Sequence, residues 1–432
     1  MIWSTFATSE LISDGHLEIG DGYRAKNSEM AEEGVPFVRA GDVDGRVNTI
    51  SADLLSPASV EKVGRKRSMP GDVVITTKGT IGRLAFVKSG DPEFIYSPQL
   101  CFWRSLQLDL IDPRWLFFAM RSQEMLNQIS WSAGQTDMAP YVSLTDQRTA
   151  FKITLPPINE QREISSILGA LDDKIELNRR MAATLEEMAR SLYRSWFVDF
   201  DPVRAKMEGR QPAFMDDTTA ALFPDRFGDN GLPEGWESKG LSEVATFLNG
   251  AALQKYPARD GEESLPVIKI AELRNGVTPK SGRATVELPP KYFVRNGDVL
   301  FSWSGSLLQK VWTEGDGALN QHLFKVSSDV VPKWYHYFAV DQHMEEFQAI
   351  AQSKATTMGH IQRHHLDEAI VILPDEEVLK TADEIISPIF DKAVAVQLEN
   401  QTLAALRDSL LPKLMSGELR VGEAQDQVAE LA

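Results

Sequence analysis

Apolar residues recur along two stretches of the chain at an alternating spacing of four and three. The first runs Ile164, Leu168, Leu171, Ile175, Asn178, Ala182, Leu185, Ala189 and Leu192, which keeps one stripe of a helix turned toward a partner helix. Pro156-Pro157 and Asn159, a candidate cap, mark its start, and Glu160 lies in the first turn. The second follows Asp375, also a cap candidate, through Ala382, Ile385, Ile389, Ala393, Val396, Asn400, Leu403, Leu410 and Leu414. It is less regular, because Pro388 sits where the spacing slips to four and four and Arg407 lands on the stripe. That predicts a kink or a late start. A run of about 35 residues rises roughly 50 Å, more than a compact domain needs to cover itself. The pattern therefore predicts two long helices seamed together, with Asn178 and Asn400 as register-fixing polar residues.

Each helix ends a repeat. Phe151-Lys-Ile-Thr-Leu-Pro-Pro157 matches Ala369-Ile-Val-Ile-Leu-Pro-Asp375, Asp173-Lys174 matches Asp391-Lys392, and Ser191-Leu192 matches Ser409-Leu410, in one ungapped register. Upstream, Pro70-Gly-Asp-Val-Val-Ile-Thr-Thr77 answers Asn296-Gly-Asp-Val-Leu-Phe-Ser-Trp303 and Val35-Pro36 answers Leu265-Pro266, at drifting offsets. These parts read as short strands between Gly, Pro and Asp turns, with Val73–Thr76 and Val299–Ser302 as buried strands. The predicted fold is α+β: a globular domain over 1–157, a spacer helix over 158–199, a Pro- and Gly-rich linker over 200–235, a second domain over 236–374, a second spacer helix over 375–416 and a C-terminal tail over 417–432.

Charge complicates any nucleic-acid reading. The net charge is −17, whereas phosphate contacts need a positive surface. Residues 1–150 and 236–372 nevertheless each lie within roughly five charges of neutral, with the acidic excess outside them. Such a chain is expected to hold duplex DNA weakly on its own and to need partners to close the grip. No apolar run approaches a membrane span, and the start at Met1-Ile-Trp-Ser shows no secretory signal, so a cytoplasmic location is expected. The single cysteine, Cys101, lies between Leu100 and Phe102, which suits a core residue better than a nucleophile.

Four blocks taken in order, Leu155-Pro-Pro-Ile-Asn-Glu-Gln-Arg-Glu-Ile164, Leu192-Tyr-Arg-Ser-Trp-Phe-Val-Asp-Phe-Asp-Pro-Val-Arg-Ala-Lys206, Gly231-Leu-Pro-Glu-Gly-Trp236 and Leu410-Leu-Pro-Lys-Leu-Met-Ser-Gly-Glu-Leu419, closely resemble the specificity subunits of type I restriction-modification systems. The resemblance implies two target-recognition domains, each reading one half of a split, asymmetric DNA sequence. It also implies two antiparallel helices that serve as ruler and as docking site for methyltransferase subunits, with a restriction/translocase subunit joining through the complex. Pro374-Asp-Glu-Glu377 departs from the pattern of the first repeat.

The chemistry fits a non-catalytic subunit. Leu155-Pro-Pro-Ile158 lacks the polar residue of an amine-methylating motif, and no Gly-x4-Gly-Lys-Ser/Thr loop is present. No cofactor is expected on this chain, S-adenosylmethionine, ATP and Mg²⁺ being used by partner subunits. His360, His364 and His365 form the densest metal-like group, but without the Glu a hydrolase would place between its histidines, and no metal is expected.

DNA-contact candidates in the first domain are Lys62, Arg65, Lys66, Arg67, Lys78, Arg83, Gln99, Gln135 and Thr136. In the second they are Lys269, Arg274, Ser304, Gln309, Lys310, Asn320, Gln321, Lys354 and Thr356. Arg and Lys match phosphates and guanine edges, and Gln matches adenine edges. The loops Thr77–Arg83 and Trp303–Lys310 follow matching strands with different chemistry, so the halves are expected to read different bases. Trp196 and Phe197, near the end of the first helix, are the candidate methyltransferase-docking residues. Two rival readings stand beside this one. A self-contained nuclease would cleave without added subunits, and a coiled-coil scaffold without a DNA role would enrich no sequence from random duplexes.

Overall fold

The computed structural model describes residues 3–135, 139–259, 261–353 and 359–430. Two compact units divide the chain, Met1–Lys174 with Leu403–Ala432, and Ile175–Thr402. Each holds one globular domain together with part of both long helices, Ile158–Phe197 and Glu376–Ser416.

The two domains share one architecture. In the first, Val73–Thr76 is buried at every position and lies between Leu100–Ser105 and Leu84–Phe86, with Leu17–Asp21 on the far edge. The second repeats this with Val299–Ser302 between Leu323–Ser327 and Gln309–Val311, and Thr246–Asn249 on the edge. A second four-stranded sheet in each contains one parallel pairing, Phe37 with Ile95 in the first domain and Val267 with Ala318 in the second. A two-stranded ribbon closes each domain by joining its first strand to its last, Ser4–Ala7 with Lys152–Leu155 and Glu237–Gly240 with Ile370–Leu373. The strand entering each long helix is thereby tied back to the start of its own domain.

The Gly-Asp turn before each central strand has a defined task. Gly71 and Gly297 adopt φ of +93° and +90°, which a side chain would oppose. The aspartate that follows is turned inward. Asp72 is fully buried and accepts from Arg104 Nε at 2.6 Å, Arg104 Nη2 at 2.8 Å, Tyr96 Oη at 2.6 Å and the Met69 amide at 2.8 Å. Its counterpart Asp298 accepts from the Arg295 amide at 2.8 Å and faces Lys325 Nζ at 3.5 Å, in a more open setting.

Within each unit the long helices run antiparallel. In the first unit, Arg407 Nη1 donates to Asp172 Oδ1 at 2.8 Å, and Ile164, Leu168 and Leu171 share a core with Leu410 and Leu414. In the second, Asn178 Nδ2 donates to Glu399 Oε2 at 3.0 Å. Ile175, Asn178, Ala182, Ala189 and Val396 are buried, while Leu185, Leu192, Ile389, Asn400 and Leu403 are partly buried. Arg407 thus stands on the stripe because a carboxylate on the facing helix meets it.

Several expectations need correction. The second helix starts right after Asp375, whose Oδ1 accepts from the Val378 amide at 3.0 Å, and it continues through Pro388 and Pro412. A late start is excluded. The burial around Pro388 falls on Val378, Ala382, Ile386 and Phe390, and Ile385 is exposed, because a helix of 3.6 residues per turn carries the stripe past the four-and-four slip to the neighbouring positions. Asn159 lies inside the first helix rather than at its cap.

The segment 200–235 is not a bare linker. It carries helices Asp201–Met207 and Asp217–Leu222, buries Val203 and Phe223 in the second unit, and uses Lys206 Nζ to bind the carbonyl oxygens of Ala220 and Phe223, a cation at a helix C-terminus. Nor is 417–432 a tail throughout, since Val421–Ala429 is helical and Ala424 is buried in the first unit. Among the described residues no helix is long and apolar enough to cross a membrane.

Replacing Asp72 with Ala leaves the buried Arg104 with only the longer Glu18 pair at 3.4 Å and the Arg67 carbonyl, which should cost the first unit about 3 kcal/mol. Asp298→Ala, in its more open pair, should cost the second unit less, and denaturant unfolding of the two variants compares them.

His336 is buried on the first turn of helix Lys333–Gln342, and desolvation, aided by Lys333, pulls its pKa down from 6.5 to about 4. The unfolded chain takes up this proton near pH 6.5 and the folded chain does not. Stability from this group is therefore present above pH 6.5 and lost as pH falls toward 4, by about 3 kcal/mol at most. His336→Gln should remove that part of the acid sensitivity of the second unit, measured as unfolding midpoints between pH 7 and 5.

Candidate nucleic-acid interface

The turn after each central strand is built the same way in both domains. Thr76 Oγ1 donates to the Thr80 carbonyl, and Ser302 Oγ donates to the Ser306 carbonyl at 2.8 Å. A one-residue bridge then pins each turn to a distant segment, Lys78 to Tyr141 and Ser304 to His360. The strand pairings match Leu100 with Leu323, since these face Thr76 and Ser302. Gln99 and His322 therefore occupy equivalent places, as do Thr77 and Trp303.

On this common frame the side chains differ. In the first domain Lys78 is exposed with its Nζ 5.8 Å from the centre of the Tyr141 ring, a cation–π contact that restrains the lysine stem. Thr77 Oγ1 donates to the Gln99 carbonyl, and Gln99 Oε1 accepts from the Ala40 amide at 3.2 Å. In the second domain Trp303 Nε1 donates to the Gln321 carbonyl and to Asn249 Oδ1, both at 3.2 Å. His322 Nδ1 lies 3.1 Å from Ser304 Oγ, and its Nε2 lies 3.3 Å from Gln321 Nε2. The Trp303 ring also meets His360 edge-on at 6.2 Å. The first site carries a lysine, whereas the second is aromatic and rich in imidazole.

The remaining candidates divide into those the structure leaves outward and those it uses internally. Lys62, Gln135, Lys269 and Arg274 are exposed, and Arg65 is exposed beside Glu18. Lys66 instead holds Asp21 and the Gly22 carbonyl at 2.8 Å each, Arg67 holds the Val60 carbonyl at 2.8 Å, and Arg83 holds the Val43 carbonyl at 3.2 Å. Gln309 donates to the Tyr337 carbonyl, and Lys310 pairs with Glu314. Gln309 is corrected as a surface reader, because its amide is taken up by helix Lys333–Gln342, while Lys310 stays a third exposed beside Glu314. Asn320 is buried and accepts the His322 amide. Thr136, Lys354 and Thr356 lie outside the described residues. Tyr141, His322 and His360 were not among the expected readers, since only the bridges of the folded chain bring them to the turns.

Trp196 and Phe197 are corrected as docking residues. Both are buried in the second unit, Trp196 against Phe223 at 5.3 Å and Phe197 between Trp236, Trp334 and Tyr335 at 5.6–5.9 Å. The large apolar residues that the first long helix leaves outward are Leu177 and Met188, 55% and 50% exposed. Positions 11 apart fall about 20° from each other around a helix, so the two share a face.

His364, His365 and Glu368 place one ligand atom each within 4.8 Å of one another. His365 Nδ1, however, accepts the Gln362 amide at 2.9 Å. A neutral imidazole with that lone pair engaged carries its proton on Nε2 and has no second lone pair for a metal. Cys101 is buried, and burial pushes its thiol up to about 11, which keeps it out of nucleophilic chemistry at neutral pH.

Comparison with known proteins agrees with this duplicated design. The chain matches the type I restriction modification DNA specificity domain twice, over residues 16–187 and 233–408. It is 24% identical to the specificity subunit of the type I restriction enzyme HindI of Haemophilus influenzae, over 89% of this chain and 94% of that one. It is 22% identical to the MjaIX specificity subunit of Methanocaldococcus jannaschii, over 82% and 78%. The fold is similar to the crystal structure of a type I restriction-modification S subunit from M. genitalium, with a TM-score of 0.52 at 15% identity, over 95% of this chain and 96% of that one.

Proposed function

The chain belongs to the type I restriction-modification DNA specificity family, whose members are non-catalytic subunits, and we propose that it selects a bipartite, asymmetric duplex target, one block per globular domain, for a complex with methyltransferase and restriction subunits. The observation that supports this most directly is the pair of matched turns. One scaffold presents Lys78 with Tyr141 in the first domain and Trp303, Ser304 and His322 in the second. Two copies of one binding module with different polar groups at the same place suit two different short sequences. S-adenosylmethionine, ATP and Mg²⁺ belong to the partner subunits in this reading.

A net charge of −17 makes the isolated chain a weak DNA binder, so affinity comes with assembly and falls steeply with salt. Selection from random duplexes with the assembled methyltransferase complex should enrich two unlike blocks separated by unread bases. One contiguous block, or no enrichment, overturns the proposal, and nanomolar specific binding by the isolated subunit at physiological salt overturns the dependence on partners.

Methyltransferase docking falls on the outward face of the first long helix that carries Leu177 and Met188. Both positions are exposed, so exchanging them for Glu buries no charge, and unfolding of the chain should be little changed while co-purification with the methyltransferase drops at least tenfold. Unchanged co-purification places docking elsewhere.

A further inference from the structure

In the second globular domain a glutamine on the outer turn is held once through its main-chain carbonyl and once through its side-chain amide. The Gln321 carbonyl accepts from Trp303 Nε1 at 3.2 Å, and that indole N–H is shared with Asn249 Oδ1 at 3.2 Å. Its side-chain Nε2 lies 3.3 Å from His322 Nε2. An amide nitrogen can only donate, so His322 Nε2 is the acceptor, and the ring proton sits on Nδ1 and points to Ser304 Oγ at 3.1 Å. Ser304 is buried, and its backbone is bridged to His360. With Nδ1 protonated the Ser304 hydroxyl is an acceptor within reach, so the amide donor, the imidazole and the buried hydroxyl form one continuous hydrogen-bonded chain.

A half-buried glutamine gains nothing for the core from this restraint and loses rotamer freedom to it. What it keeps is one N–H and the Oε1 oxygen, side by side and unspent on His322. That donor and acceptor pair complements N7 and N6 of adenine in the major groove.

Resting on the proposed DNA-target reading, we infer that Gln321 reads one adenine in the block chosen by the second domain, and that His322 is its positioning residue. In the first domain Pro98 and Gln99 stand at the places of Gln321 and His322, and Gln99 turns its oxygen inward to the Ala40 amide. The first domain has no amide presented in this way at that position, so the inference is confined to one block. The other block serves as an internal control.

The test uses the complete methyltransferase complex and duplex selection, read as the ratio of binding constants between adenine and each other base at every position. Gln321→Ala should lower the preference for adenine at one position of the second block by about tenfold or more and leave the first block unchanged. His322→Phe keeps a ring against Trp303 but removes the acceptor. It should weaken the preference at that same position while binding to unrelated duplex stays the same. With 7-deazaadenine placed there, the wild type should lose affinity and Gln321→Ala should lose nothing further.

Both blocks unchanged in Gln321→Ala overturns the inference, as does a full 7-deazaadenine penalty in that variant. A uniform affinity loss in His322→Phe without altered base preference overturns the positioning role. If the wild-type complex selects no sequence at all, the failure lies with the target-recognition reading itself. Retention of the first block in each variant complex shows that the complex is folded and assembled.

Discussion

A helix of 40 residues with an apolar stripe along its length cannot be covered by the domain it leaves, and its far end must be buried in something else. In the second unit that end brings Tyr193, Trp196 and Phe197 to Trp236, Trp334 and Tyr335. In the first unit the end of the second long helix supplies Leu410, Leu411 and Leu414, followed by Ala424. Each core is therefore incomplete without a helix that belongs to the opposite repeat. Truncating a single buried aromatic of this kind costs about 3–5 kcal/mol, so the cluster around Phe197 carries much of what holds the second unit together. An apolar pair at a helix end reads equally well as a docking surface or as a core. Burial decides for the core.

Polar groups on the same helices fix alignment. Arg407 against Asp172 and Asn178 against Glu399 each place a polar residue where a wrong register would bury it against apolar neighbours. The apolar stripe alone would tolerate sliding by a heptad. These pairs do not, and each lies within its own unit, so both parts of the helix pair are held independently. Asp72 performs the same service inside the first domain, where it gathers Arg104, Tyr96 and a turn amide about one buried carboxylate.

With cores secured by helix ends and by the Gly-Asp turns, the outer turns are free to differ. Thr76 and Ser302 close the same hydrogen bond, yet the residues next to them are Thr77 and Lys78 in one domain and Trp303 and Ser304 in the other. Base recognition needs polar groups held before the ligand arrives, because ordering long side chains on binding consumes the energy gained. Lys78 lies against an aromatic face, and Gln321 is tied to an indole by its main-chain carbonyl and to an imidazole by its amide nitrogen, so both side chains are restrained on one backbone.

Much of this was legible without the folded chain. The ungapped repeat around the helices, the buried Val73–Thr76 and Val299–Ser302 strands and the four-and-three stripe of the first helix are local patterns, since burial on one face imposes a period on the residues that make it. The resemblance to type I specificity subunits rests on four short blocks of the same kind. What stayed hidden depends on contacts between residues far apart. Tyr141 reaches Lys78 and His360 reaches Ser304 only through isolated bridges that no period announces. Lys66 and Arg67, plausible phosphate ligands by type, are taken up by Asp21, Gly22 and Val60 across loops of unrelated sequence. The slip at Pro388 looked like a break because a heptad template is stricter than a helix that packs on a domain as well as on a helix. The helix rotates its buried face to Ile386 and Phe390 to meet Tyr337 and Phe338. Periodic burial along one element is written in that element's own residues; the partner that buries it is chosen elsewhere in the chain, and only the tertiary structure decides which it is.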